Sequence, residues 1–521
     1  MLATLLSATL VALEGRAIRV EVDVAPGLPG FTIVGLGDAS IREARERVRG
    51  ALRNSGFVHP PRRITVNLAP ADIPKTGSSA DLAIAIGILI GSEQFTARAG
   101  RAALIGEVSL GGEIRPVPGL LPMVAALARR GVRRVIVPTE GLDEARLVGG
   151  VEVVAAARLA DAVDALRSRR RAAPSVPARV DLAPATSLSS GQPAPVLAPP
   201  LPPPDLAEVR GQAEARRALE VAIAGGHGLL LIGPPGTGKT MLARTIPTLL
   251  PPLSDEDSLS ATIIASVSGE APIHDLVRTP PFRTPHHTSS YAAIVGGGPR
   301  LLPGEVTRAD HGVLFLDELT EFSRDVLEAL RQPLEDGRVS IVRAAGAVTL
   351  PARFQLVAAT NPCPCGYAGA EDRCRCPEGV PERYVGRISG PLRDRIDVWV
   401  TLVRVPGAAM VQAVEPESSA TVGGRIAIAR ARQLARPGRR LNARVSGRAL
   451  HAIAQMSPAT ARRLVELADA ELLSGRGTER LLRVARTIAD LAGANAVEVD
   501  HLEEAARWRP STSRQPFALA V

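Results

Sequence analysis

Along the first 165 residues, short runs of alternating or wholly apolar residues trade places with stretches whose apolar residues recur every three or four positions. Alternation predicts half-buried strands, and the longer recurrence predicts amphipathic helices. "IRVEVDV", "FTIVGL", "RRITVNLAP" and "VRRVIVP" fit strands. "DASIREARERVRGALRNSG" fits a helix capped by Asp38 or Ser40 and closed by a glycine. "SADLAIAIGILIG" is apolar all round and predicts a buried helix. The opening "MLATLLSATLVALEGR" is apolar but short, carries no basic stretch ahead of it and runs into Glu14, so it reads as a buried strand or hairpin and not as a secretion signal. Together these segments predict a mixed α/β domain over residues 1–165.

The pattern breaks over residues 166–204, which are rich in Pro, Ala and Ser and have no apolar period. That composition predicts an extended linker. Beyond it, "HGLLLIGPPGTGKTMLARTIPTLL" reads as strand, loop and helix. "GVLFLDEL" and "FQLVAATNP" are two further apolar strands, each ending in polar residues. This layout predicts a parallel sheet over residues 205–405 with functional groups at its carboxyl edge. Residues 424–521 read as a separate helical block rich in arginine.

Composition sharpens this reading in two places. The net charge of +9 and the isoelectric point near 10.2 favour a polyanionic partner. With only 8 Phe, 2 Trp and 3 Tyr, recognition of bases by rows of stacked aromatics is disfavoured. No apolar run is long enough to span a membrane, and together with a nucleotide motif this places the protein in the cytoplasm as an expectation.

Sixty of the 62 basic residues are arginine; the lysines are Lys75 and Lys239. Lys239 stands in "GPPGTGKT", formed by Gly233, Pro234, Pro235, Gly236, Thr237, Gly238, Lys239 and Thr240. After an apolar strand and before a helix, this spacing is a phosphate-binding loop. Its glycines let the backbone curl so that amides face phosphate oxygens. A compact ammonium fits inside such a loop where a planar guanidinium is too broad. Thr240 and Asp317 are expected to hold Mg²⁺, Glu318 to polarise the attacking water, and Asn361 to orient the same water. ATP is the expected nucleotide.

All four cysteines, Cys363, Cys365, Cys374 and Cys376, lie in one short stretch as two Cys-x-Cys pairs. A structural Zn²⁺ site is the favoured reading, with redox-active thiols or no special role as alternatives. His286 and His287 in "RTPHHTSS" lack a third ligand in sequence and read as part of a loop.

The series "GPPGTGKT", "FLDE", "ATNPCPCG", "SGPLRDRID" and "LLRVARTIADL" resembles the AAA+ ATPases of the magnesium-chelatase-like branch, and more closely the ComM/YifB family. The resemblance covers nearly the whole chain, including "LPGFTIVGLGDASIREARERVRGAL". It implies a homo-hexameric ring with ATP between subunits, and an α/β fold of three parts: a Lon-protease-like domain, an AAA+ core and a C-terminal helical lid. By position it makes Arg395 the arginine finger given to a neighbour and Arg476 the lid arginine, with Arg480 the alternative. It implies a DNA motor that drives branch migration during natural transformation, with single-stranded or branched DNA as partner. The alternatives are a chelatase-type motor that remodels a protein partner for metal insertion, and an ATP-dependent protease or unfoldase. Pore-facing segments fall at roughly 280–305 and 339–350, the latter a hairpin with Arg338 and Arg343 as DNA contacts. In the Lon-like domain a serine is present at Ser79, but Leu121 stands where the family's lysine belongs. Leucine cannot act as a base, so peptidase chemistry is expected to be lost. Ser78 and Ser79 read as a helix cap and Lys75 as a loop charge.

Overall fold

The computed structural model of the chain describes residues 1–35, 38–96, 102–167, 202–269, 272–298, 301–343, 346–369, 373–405, 407 and 416–509. Most of the expected linker, residues 168–201, lies outside them. The described residues form two compact units. The first is drawn from residues 1–200 and also takes Thr262–Val277 and Gly298–Pro303; the second is drawn from the remainder.

The first unit opens on a long antiparallel hairpin, β1 (Leu2–Val11) and β2 (Glu14–Ala25), as the apolar N-terminus predicts. β3 (Gly30–Val34), helix α1 (Ala39–Asn54), β4 (Arg63–Ala69), α2 (Asp81–Gly91), β5 (Ala102–Leu104), α3 (Leu120–Arg129), β6 (Arg134–Pro138), β7 (Glu152–Ala156) and α4 (Leu159–Arg167) follow. The seven strands form one sheet in the order β3-β4-β2-β1-β5-β6-β7. Successive residues of a strand face opposite sides. Leu104 and Ile136 accordingly join α1, α2 and α4 in one apolar cluster, while Ala103, Ile105, Val135 and Val137 join α3 in another. Asp38, not Ser40, caps α1: its Oδ1 accepts the Ile41 amide at 3.0 Å.

In the second unit, α5 (Ala213–Gly225) precedes β8 (Leu229–Ile232) and α6 (Lys239–Arg244). Then come β9 (Phe282–Arg283), β10 (Val313–Leu316), α7 (Arg331–Asp336), the hairpin β11 (Arg338–Arg343) and β12 (Gly346–Pro351), β13 (Gln355–Thr360) and β14 (Val398–Thr401). β9-β10-β13-β8-β14 is a five-stranded sheet, parallel throughout. β8, β10 and β13 are buried along their whole length, which explains why they read as unbroken apolar runs and not as alternating ones.

The helical block starts earlier than residue 424. It comprises α8 (Ser419–Ala435), α9 (Gly447–Ala454), α10 (Pro458–Ala470), α11 (Gly475–Leu491) and α12 (Val499–Arg507). α11 carries its apolar residues on one face and packs them with β8 and α5 in a single core cluster. A buried polar network runs through the same region. His227, just ahead of β8, has Nδ1 3.0 Å from Asp397 Oδ2 and Nε2 2.8 Å from Thr487 Oγ1. Arg486, fully buried, donates to Asp490 at 2.8 Å and to the carbonyls of Asn495 and Ala494. No described helix is long and apolar enough to cross a membrane.

Candidate nucleotide site and cysteine cluster

β8 ends between two parallel neighbours: Ile232 pairs with Thr360 on one side and Thr401 on the other. The loop after Ile232 and the residue after Thr360 therefore leave the sheet at one edge. Gly236 and Gly238 adopt φ of +78° and +90°, a backbone that residues with a Cβ rarely take. A Cβ placed on either would meet no atom within 4 Å, so the space before the loop is an open cradle. Thr237 Oγ1 donates to the Pro234 carbonyl at 2.9 Å and closes the curl.

Lys239 is buried at the mouth of α6. Its Nζ donates to the Gly233 carbonyl at 2.6 Å, to the Pro234 carbonyl at 2.9 Å and to Asn361 Oδ1 at 3.2 Å. Burial lowers the pKa of this ammonium, against the opposing pull of Asp317 and Glu318. Thr240 Oγ1 donates to Asp317 Oδ2 at 2.7 Å, and Asp317 Oδ1 accepts the Glu318 amide at 3.0 Å. The structure thus brings together Lys239, Thr240, Asp317 and Asn361 as the sequence predicts, with Glu318 beside them. A hydroxyl and a carboxylate in contact are hard oxygen donors of the kind Mg²⁺ takes, and the lysine offers a point charge to phosphate. These residues fit ATP with Mg²⁺.

Two supports of the site were not legible in the chain. Gln212 donates from Nε2 to the Thr237 carbonyl at 3.2 Å and to the Val403 carbonyl at 2.6 Å, bracing the loop from behind. Nothing local marks it. His287 sets Nδ1 3.1 Å from Glu318 Oε2. The sequence shows the histidine pair, but its partner lies 31 positions away, just past β10.

The four cysteine sulfurs lie within 4.8 Å of one another. Cys363 Sγ is 3.3 Å from Cys365 Sγ and 3.9 Å from Cys374 Sγ, and Cys365 and Cys374 are 3.7 Å apart. Four sulfurs around a tetrahedral Zn²⁺ would stand about 3.8 Å apart, given the usual Zn–S bond. The cluster fits that geometry. Burial opposes charge on the Cys365 thiol, but the amides of Arg375 and Tyr367 and the neighbouring thiols outweigh it and pull it down to about 6. The cysteine loop also touches the phosphate loop. Gly366, at φ +88°, packs so closely that a Cβ there would lie 2.6 Å from Pro235 Cδ.

The arginines singled out in the sequence fall in different surroundings. Arg395 pairs with Glu335 of α7 and donates to the Pro391 carbonyl at 2.7 Å. Arg480 is buried and bonds Asp394 at 3.2 Å, whereas Arg476, one turn earlier on α11, is exposed. Arg338 is exposed at the start of the hairpin. Arg343 and Gly346 are its last paired residues, and the turn at 344–345 lies outside the described residues.

In the first unit the serine and the lysine each bond elsewhere. Ser79 Oγ donates to the Ala8 carbonyl at 2.8 Å, Lys75 Nζ to the Pro70 carbonyl, and Leu121 is buried. No amine meets Ser79 among the described residues. The expected minor roles need correction too. α2 is preceded by Ala80 with no side-chain cap, Ser78 bonds Glu107, and Lys75 is 1% exposed and not a loop charge. Ser79 finds its acceptor 71 positions away on β1, Ser78 bonds a carboxylate 29 positions away, and Lys75 bonds a carbonyl five residues back.

A five-stranded parallel sheet with a lysine–threonine loop at its edge, an Asp-Glu pair on the next strand but one, an asparagine between them and a helical lid behind defines an ATPase of the AAA+ class. Three family models match: subunit ChlI of Mg-chelatase over residues 20–141, magnesium chelatase subunit ChlI over 205–410, and the ChlI C-terminal region over 416–509. The protein Rv2897c of Mycobacterium tuberculosis is 44% identical over 96% of this chain and 97% of its own length. YifB of Escherichia coli is 42% identical over 94% of each chain, and the competence protein ComM of Haemophilus influenzae is 39% identical over 98% and 97%. Similarity to Lon protease 2 of Bacillus subtilis, 30% over 120 residues, covers 23% of this chain. The chain belongs to the ComM/YifB family of magnesium-chelatase-like AAA+ proteins. That family implies ATP and Mg²⁺ as ligands.

Proposed function

We propose that the protein is an ATP-driven DNA motor, a homo-hexameric branch-migration helicase acting when incoming strands are recombined in natural transformation. The observation that carries this reading is the match to the competence protein ComM across 98% of the chain, with the ATP-site residues in contact. A chelatase role is less well supported: similarity to the magnesium-chelatase subunit ChlI of Trieres chinensis, 26%, covers 29% of this chain. A protease role lacks a base for Ser79.

In this reading Lys239 and the loop amides bind the triphosphate, Thr240 and Asp317 hold Mg²⁺, Glu318 activates water, and Asn361 orients it. Arg395 reaches a neighbour's nucleotide, Arg476 acts from the lid, and the four cysteines hold a structural Zn²⁺. The hairpin grips DNA through Arg338 and Arg343. The exposed Arg338 and the +9 net charge support contact with phosphates.

The test is ATPase and strand separation on forked, single-stranded and duplex DNA over a salt series. DNA should stimulate hydrolysis, and binding should weaken steeply with salt. Arg343→Ala should keep basal ATPase and the ring but lose unwinding. Unwinding at the parental rate would remove the hairpin assignment; ATPase indifferent to every DNA would remove the DNA motor.

A further inference from the structure

The Glu318 carboxylate is not held by its own segment. Its backbone takes φ +54°, and half of its side chain is exposed. A general base must be fixed in place to act, so an unrestrained carboxylate there would be a poor one. The group that meets it comes from the turn that follows another strand. β9 and β10 are parallel neighbours, with Arg283 paired to Leu314, so the residues after each leave the sheet at the same edge. Four residues past β9, His287 Nδ1 reaches Glu318 Oε2 at 3.1 Å.

The histidine stands on an ordered turn. The Ser289 amide donates to the His286 carbonyl at 2.9 Å, and Ser290 caps the short helix Tyr291–Val295. His286 Nδ1 accepts the Thr288 amide at 3.3 Å and lies 2.8 Å from the Thr288 hydroxyl. The His286 ring, fixed in this way, packs on the His287 ring with centroids 4.1 Å apart. At the foot of the turn Arg283 pairs with Glu305 at 2.7 Å.

We propose that His287 is a positioning residue for the hydrolytic carboxylate: its Nδ1–H donates to Glu318 Oε2 and leaves Oε1 to face the attacking water. The inference rests on Glu318 being the water-activating group. In hydrolysis Glu318 Oε1 takes a proton from water as the water oxygen bonds to the γ-phosphorus and the bond to the departing ADP oxygen breaks. The imidazole holds the carboxylate through that step and does not itself gain or lose a proton.

Steady-state ATPase of four variants tests this. His287→Ala should lower kcat about ten- to hundredfold, the worth of one hydrogen bond to a charged group, with KM and nucleotide affinity near parental. His287→Asn should restore most of kcat, because its amide nitrogen stands close to where Nδ1 stood. His287→Gln, whose amide reaches further, should not. A kcat for His287→Ala within about twofold of the parent, beside an inactive Glu318→Gln, overturns the role of His287 alone. Asn and Gln variants equally impaired, with thermal stability lost in step, overturn it too. A Glu318→Gln variant that still turns over overturns the assignment of Glu318 and this inference with it.

Discussion

Lys239 shows how one side chain can be irreplaceable in a chain that otherwise uses arginine. Three oxygens surround its ammonium, and the site is buried enough to weaken its hold on the proton. A guanidinium is planar and larger, so Lys239→Arg should fail as Lys239→Ala does, both losing nucleotide binding by fluorescence titration or calorimetry. Glu318→Gln should instead bind ATP and stop turning over. A second residue-scale case is Asp490, which is 1% exposed and receives the buried Arg486 and also Arg436. Removing one member of a buried pair leaves a desolvated charge unmatched. Asp490→Ala should therefore destabilise the second unit by about 3–5 kcal/mol, read as a lower denaturant midpoint with an unchanged slope.

At the scale of elements, the cysteine loop and the phosphate loop share a boundary at Gly366 and Pro235. A metal that fixes the one should stiffen the edge of the other. Protein purified without chelator should carry about one zinc per chain at the four thiolates. Stripping it should lower thermal stability and weaken ATP binding together, and Cys365→Ser should reproduce both. Zinc below about a tenth of an ion per chain in a folded protein would exclude the site. Gly366→Ala tests the contact without touching a ligand. Its Cβ collides with Pro235, so ATP affinity should fall while zinc content stays.

For the whole molecule, the placement of Arg395 bears on assembly. Within its own chain it pairs with Glu335 on α7, the helix that leads straight into the hairpin. If it serves a neighbour's nucleotide, Arg395→Ala should bind ATP yet hydrolyse about 10³- to 10⁵-fold more slowly, the range known for arginine fingers. Mixing it with Glu318→Gln subunits, which keep the finger, should restore part of the rate. Failure of that rescue at every mixing ratio would place the role of Arg395 within its own chain. In the first unit, Ser79→Ala should leave ATPase unchanged, and casein should survive incubation with ATP. Cleavage that disappears in Ser79→Ala would contradict the contacts of Ser79 and Lys75.

Some of this protein was written in local pattern alone. Fully buried parallel strands read as unbroken apolar runs, so β8, β10 and β13 and the polar residues at their ends were visible, and with them Lys239, Thr240, Asp317, Glu318 and Asn361. The spacing of four cysteines and the paired strands of the hairpin are equally local. What the sequence could not decide are contacts between segments far apart in the chain. Gln212 reaches a carbonyl 191 positions on, and His227 reaches Asp397 and Thr487 from 170 and 260 positions away. Ser79 finds its acceptor on the opening strand, and the histidine at Glu318 arrives because two strands of separate origin run side by side. Periodicity reports which face of an element is buried, because burial repeats with the backbone's own geometry. It says nothing about which distant polar group will meet a buried donor, since that pairing is fixed only when the sheet order is set.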